Sequence, residues 1–141
     1  SGPMSGIYSA SKFALEGMSE ALAKEAEHLG VKLTMVEPGG YWTDLYTSMS
    51  YSNPLDSYGT LCDELAKQYS EDSVDSDPSL AAEALMKLVA SNNPPLRLIL
   101  GSMVYDLAMD TLKARMVTWE DWEAVSRASE KAIPAPERYG V

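Results

Sequence analysis

Apolar residues recur at helical spacing from Tyr8 to Leu29: Ala10, Phe13, Ala14, Gly17, Met18, Ala21, Leu22, Ala26 and Leu29. Ser11, Lys12, Glu16, Glu20, Lys24 and Glu27 fall largely on the other side, and Gly30 follows as a helix-ending residue. The pattern predicts one long helix. Val31–Val36 alternates apolar and polar and is rich in β-branched residues, which predicts a strand. Glu37-Pro38-Gly39-Gly40 is expected to break it, because proline has no amide donor. A short helix is expected over Leu61–Tyr69, and another over Ser79–Ala90, with Asp77 as its cap and Pro78 in its first turn. Leu96–Leu100 reads as a second strand closed by Gly101, and Met103–Ala114 as a helix. Thr118 is a candidate cap for a further helix through Trp119, Trp122 and Val125, and the tail AIPAPERYGV as irregular.

A helix between two strands in this order is the crossover of a parallel sheet. Two strands are too few for an α/β sheet covered on both faces. The sheet therefore calls for strands that this sequence does not supply, from a preceding segment or from another chain. Met4 could open the chain behind a Ser1-Gly2-Pro3 remnant, or Pro3 and Gly6 could form a loop ahead of the helix. The opening residues lack the basic and apolar regions of a signal peptide.

Charge narrows the function classes. Lys plus Arg is 11 and Asp plus Glu is 21, for a net charge of −10. Such a surface disfavours nucleic acid and anionic membranes as partners. No apolar run approaches the ~18–20 residues that cross a bilayer. A single Cys62 excludes an internal disulfide, a lone His28 excludes a His-rich metal site, and a reduced, cytoplasmic setting is expected. His28 sits where an imidazolium favours the helix dipole, and Cys62 reads as a packed thiol. The acidic run Glu71–Asp77 lacks the glycine and terminal glutamate of an EF-hand loop and reads as solvated. Trp119 and Trp122 read as anchors of a terminal helix.

The chemistry lies in Tyr8-Ser9-Ala10-Ser11-Lys12, where a phenol and an ammonium stand four residues apart on one helix face. A free tyrosine has a pKa of ~10. Poising it near neutrality requires ~4 kcal/mol, at ~1.36 kcal/mol per pKa unit. A cation at ~4 Å provides about that at an effective dielectric of ~20, and only ~1 kcal/mol in bulk water. The pair can do acid–base work only where walls exclude water. Taken alone it is equally an exposed helix pair, with Lys12 facing Glu16.

YSASKFALEGMSEALAKE, then a strand, then VEPGGYWTD resembles the C-terminal half of the short-chain dehydrogenase/reductase superfamily. DPSLAAEAL and NNPPLRLILGS resemble that family's penultimate helix and last strand, so the resemblance covers essentially the whole chain. It implies an α/β fold, the C-terminal portion of a Rossmann-like, doubly wound parallel sheet that is incomplete on its own. Residues 1–141 would be part of one NAD(P)-binding domain, with 44–77 a substrate lid within it. The resemblance implies that Tyr8 is the catalytic acid/base and that Lys12 tunes it and holds the nicotinamide ribose. Pro38, Gly39, Tyr41 and Thr43 would clamp the nicotinamide end of NAD or NADP, Tyr41 through its backbone and Thr43 through its hydroxyl. Pro38-Gly39-Gly40 is also readable as a plain strand-ending turn.

Trp42, Leu45, Tyr46 and Met49 would cover an apolar carbonyl or alcohol substrate, or else pack beneath the lid, and Asp44 would cap the lid's first helix. The family's dimer and tetramer packing implies a homodimer or homotetramer through the stripe of Phe13, Met18 and Leu22. The family's Gly-x-x-x-Gly-x-Gly loop does not occur, and Tyr8 lacks a serine about a dozen residues ahead of it. The chain alone is therefore expected to be inactive. The alternative is a non-catalytic module that associates through its exposed sheet edge and helix face.

Overall fold

The computed structural model describes residues 2–50, 55–72 and 75–131. Two compact units are present, Ser1–Val104 and Tyr105–Val141. The first opens with α1, Gly6–Ala26, which passes into a 3-10 turn at Glu27–Leu29. Gly30 takes φ +72°. Its amide donates to Glu27 O at 3.0 Å and that of Val31 to Ala26 O at 3.4 Å. These two bonds form a Schellman closure, which needs a left-handed residue that glycine adopts without strain.

Strand β1 spans Met35–Pro38 and β2 spans Arg97–Leu100. They pair in parallel, with Met35 opposite Arg97 and Pro38 opposite Leu100. Strand β1 thus starts four residues later than the alternation predicts. Across from residues 31–34 lies Asn93-Pro94-Pro95, and the prolines have no amide to donate. Side chains serve instead: Thr34 Oγ1 donates to Pro95 O at 2.7 Å, and Lys32 Nζ donates to Asn92 O. The strand ends within Glu37-Pro38-Gly39-Gly40 as expected, with Pro38 as its last residue. In a parallel ladder alternate residues point their amides to opposite edges. The amides of Met35 and Gly39 bond Leu96 O and Leu100 O, so Pro38 falls at a position whose missing donor faces away from β2.

Between the strands come α2 (Leu45–Ser48), a 3-10 turn (Asp56–Tyr58), α3 (Gly59–Asp72) and α4 (Pro78–Val89). Asp77 caps α4, its carboxylate accepting from Ser79 N at 2.9 Å, with Pro78 in the first turn as expected. Asp44 stands at the N-cap position of α2 but makes no side-chain cap bond. The amide of Leu45 instead donates to Thr43 Oγ1 at 3.4 Å.

Helix α5 covers Ser102–Asp121 and α6 covers Glu123–Ala128. Thr118 does not begin a new helix: its hydroxyl donates back to Ala114 O at 3.1 Å inside α5, and Trp122 occupies the N-cap of α6. The expectation for the proline-rich tail concerns residues 132–141, outside the described residues. Among the described residues Leu100, 8% exposed, is the one buried hydrophobic side chain. No described helix is long and apolar enough to cross a membrane.

Candidate functional site

Tyr8 and Lys12 lie in the first two turns of α1, before any acidic residue of that helix. The Lys12 ammonium stands over the Tyr8 ring, 5.5 Å from its centroid. Tyr8 is 66% exposed and Lys12 is exposed as well. The described residues bring the pair together as the spacing predicts. They do not supply the water-excluding wall that the acid–base arithmetic calls for. Lys12 does not pair with Glu16, whose carboxylate is engaged by Arg97.

The other candidates follow β1. In open α/β sheets, ligands bind outside the carboxyl ends of the strands. The end of β1 carries Pro38, Gly39, Tyr41 and Thr43. Tyr41 forms a parallel bridge with Ser76. Ser76 N donates to Gly40 O and Trp42 N donates to Ser76 O, both at 3.0 Å. Ser76 thus bonds the neighbours of Tyr41, and by ladder geometry the amide and carbonyl of Tyr41 itself point the other way. A donor and an acceptor side by side on one residue can take both edges of a carboxamide. The residues present fit the nicotinamide end of a dinucleotide on that count.

Gly39 serves a purpose that the sequence does not reveal. A Cβ there would lie 3.1 and 3.2 Å from the methyl groups of Val104 and 3.3 Å from Leu100 O. Its missing side chain makes room for Val104, so the need for glycine at 39 is a packing need. The spacing of Val104 from Gly101 gives no cue to this, because the contact forms only once β2 is paired beside β1.

The two groups of residues share one end of the fold. Ala23 of α1 and Glu27 of the 3-10 turn that follows it line the same concavity as Leu33 and Leu96, at the amino ends of the strands. The N-terminus of α1 therefore points toward their carboxyl ends. Arg97, paired with Met35, grips Glu16 and Glu20. From the midpoint of those glutamates, Tyr8 stands ~15 Å along the helix, at ~1.5 Å per residue. From Met35, Gly40 stands ~16 Å along the strand, at ~3.3 Å per residue. Tyr8 and the Gly40–Tyr41 segment thus both lie toward the carboxyl ends of the strands.

Trp42, Leu45, Tyr46 and Met49 follow in this segment, in α2 and at its C-cap. Trp42 is 69% exposed, and Leu45 and Met49 are exposed too. Tyr46 lies in α2, but its side chain is outside what the structure describes, as are residues 51–54 and 73–74 of the 44–77 segment.

The chain is similar to known proteins. Residues 1–53 match the short chain dehydrogenase family. Oxidoreductase BOA17 of Botryotinia fuckeliana is 33% identical over 127 residues, which cover 86% of this chain and 46% of that protein. The 3-ketodihydrosphingosine reductase of Bacteroides thetaiotaomicron is 34% identical over 106 residues, which cover 72% of this chain and 39% of that protein. The crystal structure of a short-chain dehydrogenase from Streptomyces avermitilis superposes with a TM-score of 0.77 at 32% identity, over 89% of this chain and 46% of that one. The chain belongs to the short-chain dehydrogenase/reductase superfamily. It spans about half the length of the relatives it matches.

Proposed function

We propose that this chain carries the acid/base and the nicotinamide clamp of an NAD(P)-dependent oxidoreductase acting on an apolar carbonyl/alcohol pair. What supports the reading is the Lys12 ammonium over the Tyr8 ring at the start of α1, in a chain whose residues 1–53 match the short chain dehydrogenase family. NAD or NADP would supply the hydride acceptor or donor. The Tyr8 hydroxyl gives its proton to a carbonyl oxygen during reduction, or takes one from an alcohol during oxidation. The Lys12 ammonium stabilises the charge that develops on the phenol oxygen and hydrogen-bonds the ribose. The amide and carbonyl of Tyr41 hold the carboxamide, and Thr43 adds its hydroxyl. Trp42, Leu45, Tyr46 and Met49 cover the substrate and exclude water. The name of the Bacteroides relative, a ketone reductase, supports a carbonyl substrate.

The donor that polarises the carbonyl and the site for adenine and pyrophosphate are to come from residues other than these, and the chain alone does not turn over. The stripe of Phe13, Met18 and Leu22, exposed on α1, is the proposed homodimer or homotetramer contact. The same exposure favours a second reading, a non-catalytic module that associates through these faces.

The reading frame ahead of Ser1 tests both readings. An in-frame Gly-x-x-x-Gly-x-Gly and a serine about a dozen residues before Tyr8 are expected. In the polypeptide so encoded, Tyr8→Phe lowers kcat by ~10²–10⁴-fold, the range for loss of a general acid/base. A stop codon directly ahead of Met4, or full activity in Tyr8→Phe, overturns the enzyme reading.

A further inference from the structure

Helix α1 has no buried residue by which to lock itself to the sheet. Its side-chain ties to the strands run instead through Arg97, the first residue of β2. Arg97 Nε lies 2.6 Å from Glu16 Oε1, and its terminal nitrogen Nη2 lies 2.8 Å from Glu20 Oε2. Glu37 of β1 joins them, with Oε1 3.8 Å from Arg97 Nε. That oxygen is shut off from solvent and accepts no hydrogen bond. One guanidinium thus draws together carboxylates from α1 and β1 while standing on β2.

The geometry points to Arg97 as the positioning residue that sets the height of Tyr8 and Lys12 against the Pro38–Thr43 segment. Glu16 and Glu20 are one helical turn apart, and the guanidinium is a rigid planar fork. Both carboxylates meet the fork at one axial position of α1 only. A slip of one turn moves Tyr8 by ~5.4 Å relative to Tyr41 and hands the fork a different pair of residues. The next positions up that face are Lys12 and Glu16, so the slipped register sets a cation against the guanidinium. A lysine at 97 keeps the charge but cannot hold two carboxylates in fixed directions. The consequence for catalysis rests on the proposed roles of Tyr8 and Lys12; the register itself does not.

The test measures that register in the full chain. In a Cys62→Ser background, nitroxide labels on Leu15→Cys and Asn93→Cys report by pulsed EPR how far α1 stands along the sheet. A single narrow distance is expected with Arg97 present. Arg97→Lys is expected to shift or split that distance by up to ~5 Å, one turn of helix. Glu20→Gln, which leaves the guanidinium and Glu16 in place, is expected to broaden it, and this variant decides the matter if Arg97→Lys does not fold. Distances that superimpose on the parent's, with or without a lower melting temperature, overturn the inference and leave Arg97 a simple stabilising ion pair. Tyr8→Phe does not enter this readout, so failure of the oxidoreductase reading and failure of the register key are separately visible.

Discussion

Val104 fills the space where Gly39 has no side chain, and its γ2 methyl also lies 3.3 Å from where a Cβ on Gly101 would stand. One valine thereby packs against the turn after β1 and the turn after β2. Gly39→Ala must push back Val104 and the carbonyl of Leu100, and overpacking of this kind costs ~1–3 kcal/mol. We expect a melting temperature lower by several degrees. Val104→Ala should cost stability alone, yet soften the cost of Gly39→Ala in the double variant. Additive losses in a double-mutant cycle by thermal unfolding would show that the two residues do not share the space.

Gly101 carries φ +116°, a backbone conformation that side-chain-bearing residues rarely adopt. Gly101→Ala is therefore expected to destabilise by ~1–3 kcal/mol, the usual cost of a residue held in a sparsely populated region. Gly17 lies in α1 with open space around its missing Cβ. Gly17→Ala should raise stability by ~0.5–1 kcal/mol through helix propensity. Urea unfolding of the two variants should move in opposite directions, and equal shifts would contradict the conformational argument.

Acid should weaken the fold through two carboxylates. The hydrogen bonds from Ser79, backbone first, hold Asp77 below its ordinary range. The Arg97 hydrogen bond, and then Lys24, do the same for Glu20. A group whose folded pKa is depressed binds its proton more readily when unfolded. Its stabilisation is complete above the unfolded pKa, ~4 for both residue types, and is lost as pH falls through the lower folded value. Thermal midpoints should thus be insensitive to these groups above about pH 5 and fall below about pH 4. Asp77→Asn keeps a good cap, while Glu20→Gln loses its charge, and each should flatten part of the acid limb. An acid limb unchanged in both variants would refute the assignment.

Much of this architecture could be read from residues alone, and the exceptions share a cause. The long first helix, the Gly30 closure and the Asp77–Pro78 cap are local matters of spacing and turn chemistry, and all three stand in the structure. Strand β1 is displaced because its limits are set by what lies across from it, a pair of prolines sixty residues away in sequence. Thr118 looked like a cap because its type suits one, yet the helix around it continues and its hydroxyl turns back to Ala114. At the site, Tyr8, Lys12 and the Pro38–Thr43 segment were legible as motifs. Ser76, Val104 and Arg97 were not, because each acts through a partner distant in sequence and carries no motif of its own.

Lys12 should be more sensitive to geometry than to charge. Its ammonium is a compact donor over the Tyr8 ring, whereas a guanidinium is longer and planar. In the polypeptide that joins this chain to a cofactor site, Lys12→Met is expected to lower kcat by at least ~10²-fold, as for loss of electrostatic stabilisation at a reacting oxygen. Lys12→Arg should recover only part of that loss. Steady-state kinetics across pH would check this, and full recovery by arginine would mean that any nearby cation suffices.

Trp42 should affect binding rather than chemistry. Its side chain is largely exposed, beside the segment proposed to clamp the cofactor, while its backbone amide is committed to Ser76. Substitution of the side chain leaves that backbone bond in place. Burying an aromatic side chain against an apolar substrate is worth ~1.5–3 kcal/mol, or ~10–100-fold in affinity. Trp42→Ala is therefore expected to raise KM for apolar carbonyl compounds by that factor and to change kcat little. Small polar carbonyl compounds, which gain nothing from an apolar cover, should show almost no change in KM. A loss confined to kcat, or one equal for both substrate classes, would remove Trp42 from the substrate cover and return it to the role of a surface side chain.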